Sequence, residues 1–346
     1  MKPMFVFLLS TACLLTANVS AAEEEQSSAG KKAPPVSDDK IITVVVENDS
    51  IGTRGTDKNY TSGVRIGYYD INAEMPELAY VIDDYIPTFE VSKTSSVFYS
   101  FGQNLYSPQD ITQSGQDPTD RPWAAHLYAS MGLVTQTDNH LDELEISLGI
   151  VGPWALGEQA QKFVHKYVTP DSPTPKGWSH QLKNEPALMV GWQRRYPNYL
   201  DTNVMGLNIG VSPYFGATLG NVYTFANVGA NLRLTPFEDI RQDAPMRVRP
   251  ALPGTGYFDI PENKWSWYAF MGLEGRAVAH NIFLDGNTFA DSHSVDKEHL
   301  VADANAGIAF TYDRYRISYT LVYRTREFRG QDDPSVFGAL SFGYRF

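Results

Sequence analysis

Two stretches of the sequence carry side chains whose types and spacing could do chemistry. In GPWALGEQAQKFVHKYV, residues 152–168, Leu156, Ala160, Phe163, Val164 and Tyr167 repeat at helical spacing, while Glu158, Gln161 and His165 fall on another face. The spacing predicts a short amphipathic helix that presents Gln161 and His165 one turn apart. Gln161 and His165 would face whatever the polar side of the helix meets, and a surface histidine on a loop helix fits the same pattern. The second stretch groups Glu47, Asn48 and Asp49, followed by Asp57 and Asn59. Hard cations such as calcium take carboxylate and amide oxygens, which makes this corner a candidate calcium site, although its spacing is not that of an EF-hand loop and a solvated acidic loop has the same composition.

Other polar groups are scattered. KGWSHQLKNEP, residues 176–186, combines Trp178, His180, Gln181, Asn184 and Glu185, and DRPWAAHLY, residues 120–128, holds His126. His126 and Ser130 stand four residues apart, about 13 Å along a strand, too far for direct proton transfer. His140, His280, His293 and His299 are isolated. The sequence has no G-x-S-x-G elbow, no H-E-x-x-H and no paired C-x-x-C, so the familiar serine-hydrolase and zinc arrangements are not written in it.

The elements that must hold these residues read as strands. In ALSFGYRF at the C-terminus, Leu340, Phe342, Tyr344 and Phe346 alternate with Ala339, Ser341, Gly343 and Arg345. The same period of two runs through residues 304–311 and 316–324. Further strands are expected at 41–46, 61–69, 95–104, 122–134, 142–151, 186–195, 204–214, 222–234 and 266–278, giving about twelve, an even number as in single-chain bacterial barrels. With 20 Tyr, 18 Phe and 6 Trp and no apolar run long enough for a spanning helix after the N-terminus, the pattern predicts an all-β, transmembrane antiparallel β-barrel. The predicted helix then lies in an extracellular loop, and Arg345 faces the lumen. A soluble secreted β-sandwich also alternates and is the alternative fold. Counting strands puts the Glu47–Asp49 corner and residues 152–184 at the same extracellular rim. It leaves residues 71–95 and 234–266 as unusually long connections at the opposite side.

The N-terminus places the chain in a secretory context. Lys2, the apolar run Phe5–Leu15 and Val19-Ser20-Ala21 predict a signal peptide over residues 1–22, followed by a flexible leader over 23–40 and the barrel over 41–346. The one cysteine, Cys13, falls within the signal peptide, so neither a disulfide nor a thiol nucleophile is expected in the mature chain. A net charge of −12 argues against nucleic acid as a partner.

Over most of its length the chain resembles the outer-membrane lipid A 3′-O-deacylase (LpxR-type) family. The resemblance is carried by ENDS at 47–50, DKNYTSG at 57–63, RPWA at 121–124, GPWALGEQAQKFVH at 152–165, GWSHQLKNEP at 177–186 and VYRTREF at 322–328, in this order. It implies a twelve-stranded barrel in the outer membrane, among outer-membrane lipids, and the aromatic C-terminal strand ending in Phe346 resembles what outer-membrane assembly machinery recognises. It also implies calcium dependence and hydrolysis of the 3′-linked acyloxyacyl ester of lipid A, the anchor of lipopolysaccharide. The family's catalytic histidine falls on His165, its neighbour on Gln161, the Asn-Asp pair on Asn48 and Asp49, and a hydroxyl on Thr61. Glu47 joins Asn48 and Asp49 as a candidate calcium ligand, and Glu185 is a supporting residue. The family's basic residues after the third strand have no counterpart here beyond Arg121. An outer-membrane phospholipase and a non-catalytic porin-like barrel are the rival functions.

Overall fold

Alternation of apolar and polar residues closes the chain into one antiparallel barrel. The computed structural model describes residues 40–52, 58–71, 73–85, 91, 95–137, 139–170, 172–197, 199–237, 245–248 and 255–346. The predicted signal peptide, the leader up to residue 39 and Asp57 lie outside the described residues. The first half of the wall is β1 (Lys40–Asn48), β2 (Asn59–Asp70), β3 (Ser96–Ser107), β4 (Ala124–Gln136), β5 (Leu141–Val151) and β6 (Glu185–Arg195). The short β7 (Leu200–Val204) follows, then β8 (Leu207–Gly220), β9 (Tyr223–Thr235), β10 (Trp265–Asn281), β11 (Leu300–Tyr312), β12 (Tyr315–Arg324) and β13 (Ser335–Arg345). Apart from β6 and β7, each strand pairs with the next. β1 pairs with β13 to close the ring, and β6 and β7 pair with successive parts of β8, so that together they form a single wall position in a twelve-strand barrel. Lys40 and Phe346 exchange backbone hydrogen bonds at 2.9 Å and mark the terminal rim. Asn48, Asn59, Ser107, Ala124, Val151 and Glu185 all stand at the far rim.

The alternation has the polarity expected of a wall surrounded by lipid. On β12, Ile317, Tyr319, Leu321 and Tyr323 point outward, while Arg316, Ser318, Thr320 and Arg324 are buried inside. On β13, Leu340 and Phe342 are exposed and Ser341 and Arg345 enclosed, as the sequence predicts. Apolar side chains outside and charged ones inside would be unstable in water and are stable in a bilayer.

The lumen is filled. Arg65 pairs with Glu145 at 2.7 Å, Arg195 with Glu143 at 2.6 Å, and Arg276 and Arg324 both grip Asp303. Of the long connection after β9, residues 245–248 and 255–258 lie in this interior. Met246 and Val248 pack on Val45, and Phe258 packs beside Ile41 and Tyr69. Arg316 donates to the carbonyls of Gly256 and Tyr257, and Arg345 to that of Phe258. The described part of the predicted long connection is thus luminal. Its highest described point meets Glu47, where Arg247 Nε lies 2.6 Å from Oε1 and the Val248 amide donates to the same oxygen at 3.2 Å. Gly63 makes room for it, since a Cβ there would lie 2.5 Å from Val248 Cγ1.

Removing one partner of a buried ion pair strands the other charge. Arg247→Met is therefore expected to destabilise the barrel by about 3 kcal/mol, and Glu47→Gln with Arg247→Met together to recover most of that loss. Urea unfolding in detergent micelles, followed by the gel mobility of the folded barrel, measures both.

The other long connection, after β2, carries α2 (Glu77–Tyr85). Ala79 of that helix joins the outward-facing Val97, Leu133 and Leu144 near the terminal rim. No helix among the described residues is long and apolar enough to cross a membrane.

Candidate active site at the far rim

β1 ends where its outward row reaches the rim. Asn48 is paired in register with Ser62 of β2 and Gly338 of β13. The chain then turns through a short helical segment, α1 (Asp49–Gly52). Asn48 Oδ1 accepts from the Ser50 amide at 2.7 Å and from its hydroxyl, so the asparagine shapes the turn. Asp49 is buried, and its Oδ2 accepts from the Lys58 amide at 2.8 Å, joining the start of β2 to the end of β1.

The start of β2 is irregular. A bulge between Tyr60 and Ser62 leaves Thr61 as the extra residue, and its hydroxyl donates to Ser107 Oγ at 2.8 Å. Bulges re-aim side chains, and here Tyr60 turns inward to Glu47 Oε2 at 2.9 Å while Thr61 and Ser107 stay together at the rim. Asn59 is buried with a left-handed φ of 65°, and neither polar atom of its side-chain amide has a hydrogen-bond partner. Its unpartnered amide, next to the Lys58 whose backbone Asp49 holds, makes Asn59 a further candidate oxygen ligand at this corner.

Glu47 is differently placed from its neighbours. Its carboxylate faces the lumen and accepts from Arg247, Val248 and Tyr60. The all-oxygen donors of the rim corner are therefore Asn48, Asp49 and Asn59. Among the described residues no three His, Cys, Asp or Glu side chains converge as a metal-binding group. A site here would carry one carboxylate and complete its shell with amide oxygens and water, which calcium accepts.

The predicted helix is present as α3 (Gly157–Tyr167), preceded by a 3-10 turn at Pro153–Ala155. It does not cap the barrel mouth. It lies against the outer face of β3 and β4, in a cluster with Leu105, Ile111, Trp123, Ala125, Ala155 and Trp178. Outward residues of neighbouring strands line up as Asn48, Ser62, Leu105 and Ala125, so this helix sits along the same row as the oxygen corner. Gly157 permits the approach, since a Cβ there would overlap Ala125 and lie 2.6 Å from the Trp178 ring.

The buried face of α3 is Gly157, Gln161 and His165. Gln161 Oε1 accepts from Trp178 Nε1 at 2.7 Å, which fixes the amide, and its Nε2 is buried with no hydrogen-bond partner. His165 Nδ1 lies 2.7 Å from the Pro173 carbonyl. A carbonyl can only accept, so this contact sets the tautomer with hydrogen on Nδ1 and the lone pair on Nε2. The apolar residues of the predicted face, Leu156, Phe163 and Tyr167, are instead exposed.

Because Gly157 sets the distance between helix and wall, Gly157→Val is expected to displace Gln161 and His165 and to lower turnover about 10²-fold in an intact barrel. Activity per folded molecule, with the folded fraction read from gel mobility, checks this.

The remaining candidates have structural occupations. Glu185 accepts from Asn221, Asn287, Thr288 and Phe289 and so holds the 287–289 loop against the rim. Next to it, Asp285 binds His280 and Lys297; burial alone would raise its carboxyl pKa, and the hydrogen bonds from those two side chains and the Asn281 amide hold it down to about 2. Arg121 is wholly buried, 4.8 Å from the Tyr106 ring, and so does not reach a headgroup. His126 faces the lumen stacked on Tyr128, and Ser130 there bonds Ser100, so they form no Ser-His pair.

Comparison with known proteins agrees with this architecture. The family model described as outer membrane protein LpxR matches residues 7–346. Among solved structures, LpxR from Salmonella typhimurium superposes with a TM-score of 0.70 at 19% identity, covering 88% of this chain and 99% of that one. The KdgM porin reaches a TM-score of 0.38 at 7% identity, covering 88% of this chain and 99% of that one. The COG4313 outer membrane channel from Pseudomonas putida F1 reaches 0.38 at 11% identity, covering 94% and 100%. No curated protein sequence matches the chain.

Proposed function

Because the chain belongs to the family of outer membrane protein LpxR, we propose that it is a lipid A 3′-O-deacylase, an ester hydrolase that removes the 3′-linked acyloxyacyl group of lipopolysaccharide at the outer surface of the membrane. The observation that carries this reading is the buried polar face of α3. A histidine with a fixed tautomer and a glutamine with an unpartnered amide are held one turn apart against a lipid-facing wall.

His165 is the general base. With its Nδ1 hydrogen on the Pro173 carbonyl, Nε2 takes a proton from water as the water attacks the ester carbonyl. Gln161 Nε2 donates to the carbonyl oxygen as it gains charge, and Trp178 keeps the amide from rotating away. Protonated His165 then returns its proton to the leaving sugar 3′-oxygen. Thr61, with Ser107, supplies hydroxyl groups at the rim that orient the substrate. Calcium, held by Asn48, Asp49 and Asn59, would supply Lewis-acid polarisation of the ester. Glu47 serves this corner from inside the barrel through Arg247 and Tyr60 and is not one of its ligands.

A porin-like role fits the filled lumen poorly, and a Ser-His phospholipase finds no such pair in His126 and Ser130. The test uses purified protein in mixed micelles holding either hexa-acylated lipid A or a diacyl phosphatidylethanolamine, with calcium. Release of a 3′ acyloxyacyl acid from lipid A alone supports the proposal; fatty acid release from the phospholipid alone overturns it.

A further inference from the structure

α3 is amphipathic in the inverse sense to a helix on a water-soluble surface. Its polar residues Gln161 and His165 are buried, while Leu156, Phe163 and Tyr167 are 51%, 60% and 64% exposed on one edge. Trp154 before the helix and Val168 after it are exposed still further. Phe163 and Tyr167 pack ring to ring at 5.0 Å, and Lys166 stands 5.0 Å over the Tyr167 ring. A contiguous apolar edge flanked by Lys162 and Lys166 is the composition of a helix that lies in a membrane interface.

Its position on the wall agrees. Gln103 Nε2 donates to the Ala155 carbonyl at 2.6 Å, so the segment that opens α3 covers the outward face of β3 at Gln103 and Leu105. The next outward residue down that strand, about 7 Å away, is Phe101, which is exposed in the lipid-facing belt. The same wall carries α2 at its other end, anchored on Val97 and Leu133, with Tyr80 and Val81 exposed. From Leu105 to Val97 is about 27 Å along the strand, or about 21 Å along the axis at a tilt of about 40°, close to the about 25 Å band of a membrane barrel. The two helices bracket one hydrocarbon thickness.

We infer that α3 is an interfacial helix. Its Leu156–Phe163–Tyr167 edge, with Trp154 and Val168, is immersed at the boundary between acyl chains and headgroups in the far-rim leaflet, with Lys166 beside it at headgroup level and the ammonium of Lys162 paired with Glu158. The inference requires the barrel to lie in a membrane and does not rest on the reaction proposed above.

The chain's single cysteine, Cys13, lies within the predicted signal peptide, so spin labels can be placed one at a time in the barrel. In nanodiscs of phosphatidylethanolamine and phosphatidylglycerol, labels at Phe163→Cys and Tyr167→Cys are expected to collide strongly with oxygen and severalfold less with a nickel chelate, like a belt label at Phe101→Cys. Labels at Gln159→Cys and Ser179→Cys are expected to show the reverse. A nickel accessibility at 163 and 167 equal to that at 159 would overturn the inference. Bromine-substituted lipids give a second measurement without labels: the fluorescence lost on Trp154→Phe should be strongly quenched in the wild-type chain, and unquenched Trp154 would contradict lipid contact.

Discussion

Under the proposed deacylase reading, replacing His165 by Ala is expected to lower kcat for release of the 3′ acyloxyacyl group by about 10²- to 10⁴-fold, the usual contribution of a positioned general base. The barrel is expected to stay folded, because His165 lies on α3, outside the strand ladder. The effect should fall on kcat more than on KM, since proton removal from water is an interaction made only on the way to the transition state. His165→Gln is the informative companion. It can keep a donor near the Pro173 carbonyl yet offers no basic nitrogen, so it should be nearly as inactive as the alanine variant. Steady-state kinetics on lipid A in micelles measure both, and near-normal turnover in either would remove His165 from the chemistry.

Replacing Asp49 by Ala should cost about 10²- to 10³-fold in turnover, the scale on which electrostatic stabilisation of a developing oxyanion acts. Two effects overlap at this residue. Its carboxylate is the one full negative charge among Asn48, Asp49 and Asn59, and its Oδ2 also ties the Lys58 amide across the rim turn at 2.8 Å. Asp49→Asn separates them, because an amide oxygen still accepts from Lys58 while the charge is gone. If the charge matters for calcium, Asp49→Asn should need a much higher calcium concentration for half-maximal activity. If only the turn matters, it should behave like the wild type. Calcium binding followed directly by calorimetry gives a readout independent of turnover, and unchanged binding in Asp49→Ala would move the metal away from this corner.

Much of the fold could be read from residue order because a lipid-facing wall imposes a strict period of two. All twelve wall positions were expected, and β12 and β13 have the predicted face outward. The luminal part of the connection after β9 could not be read in this way. Met246, Val248 and Phe258 belong to a segment without periodicity, and their partners Val45, Gly63 and Arg316 lie far away in sequence. Glu47 illustrates the same limit. Its neighbours suggest an oxygen cluster, yet strand alternation sends it inward, opposite to Asn48, where Arg247 holds it.

The site was legible as residue types but not as an arrangement. Helical spacing separates Gln161 and His165 from the apolar stripe, and that separation is correct. Spacing alone cannot say which face is buried, because the answer depends on what surrounds the molecule. With lipid outside, the apolar edge stays exposed and the polar face turns to the wall at Gly157 and Ala125. Asn59 is underweighted by its sequence context, since its left-handed backbone and orphaned amide follow from the turn that Asp49 and Lys58 close. The signal available was its place in DKNYTSG, one residue after the lysine that closes the turn.

The most direct test is the mass spectrum of lipid A from cells expressing the wild-type chain beside cells expressing His165→Ala at equal folded abundance. Loss of the mass of one 3′ acyloxyacyl group with the wild type, and intact lipid A with the variant, is the predicted result. Intact lipid A in both, or equal loss in both, would contradict it.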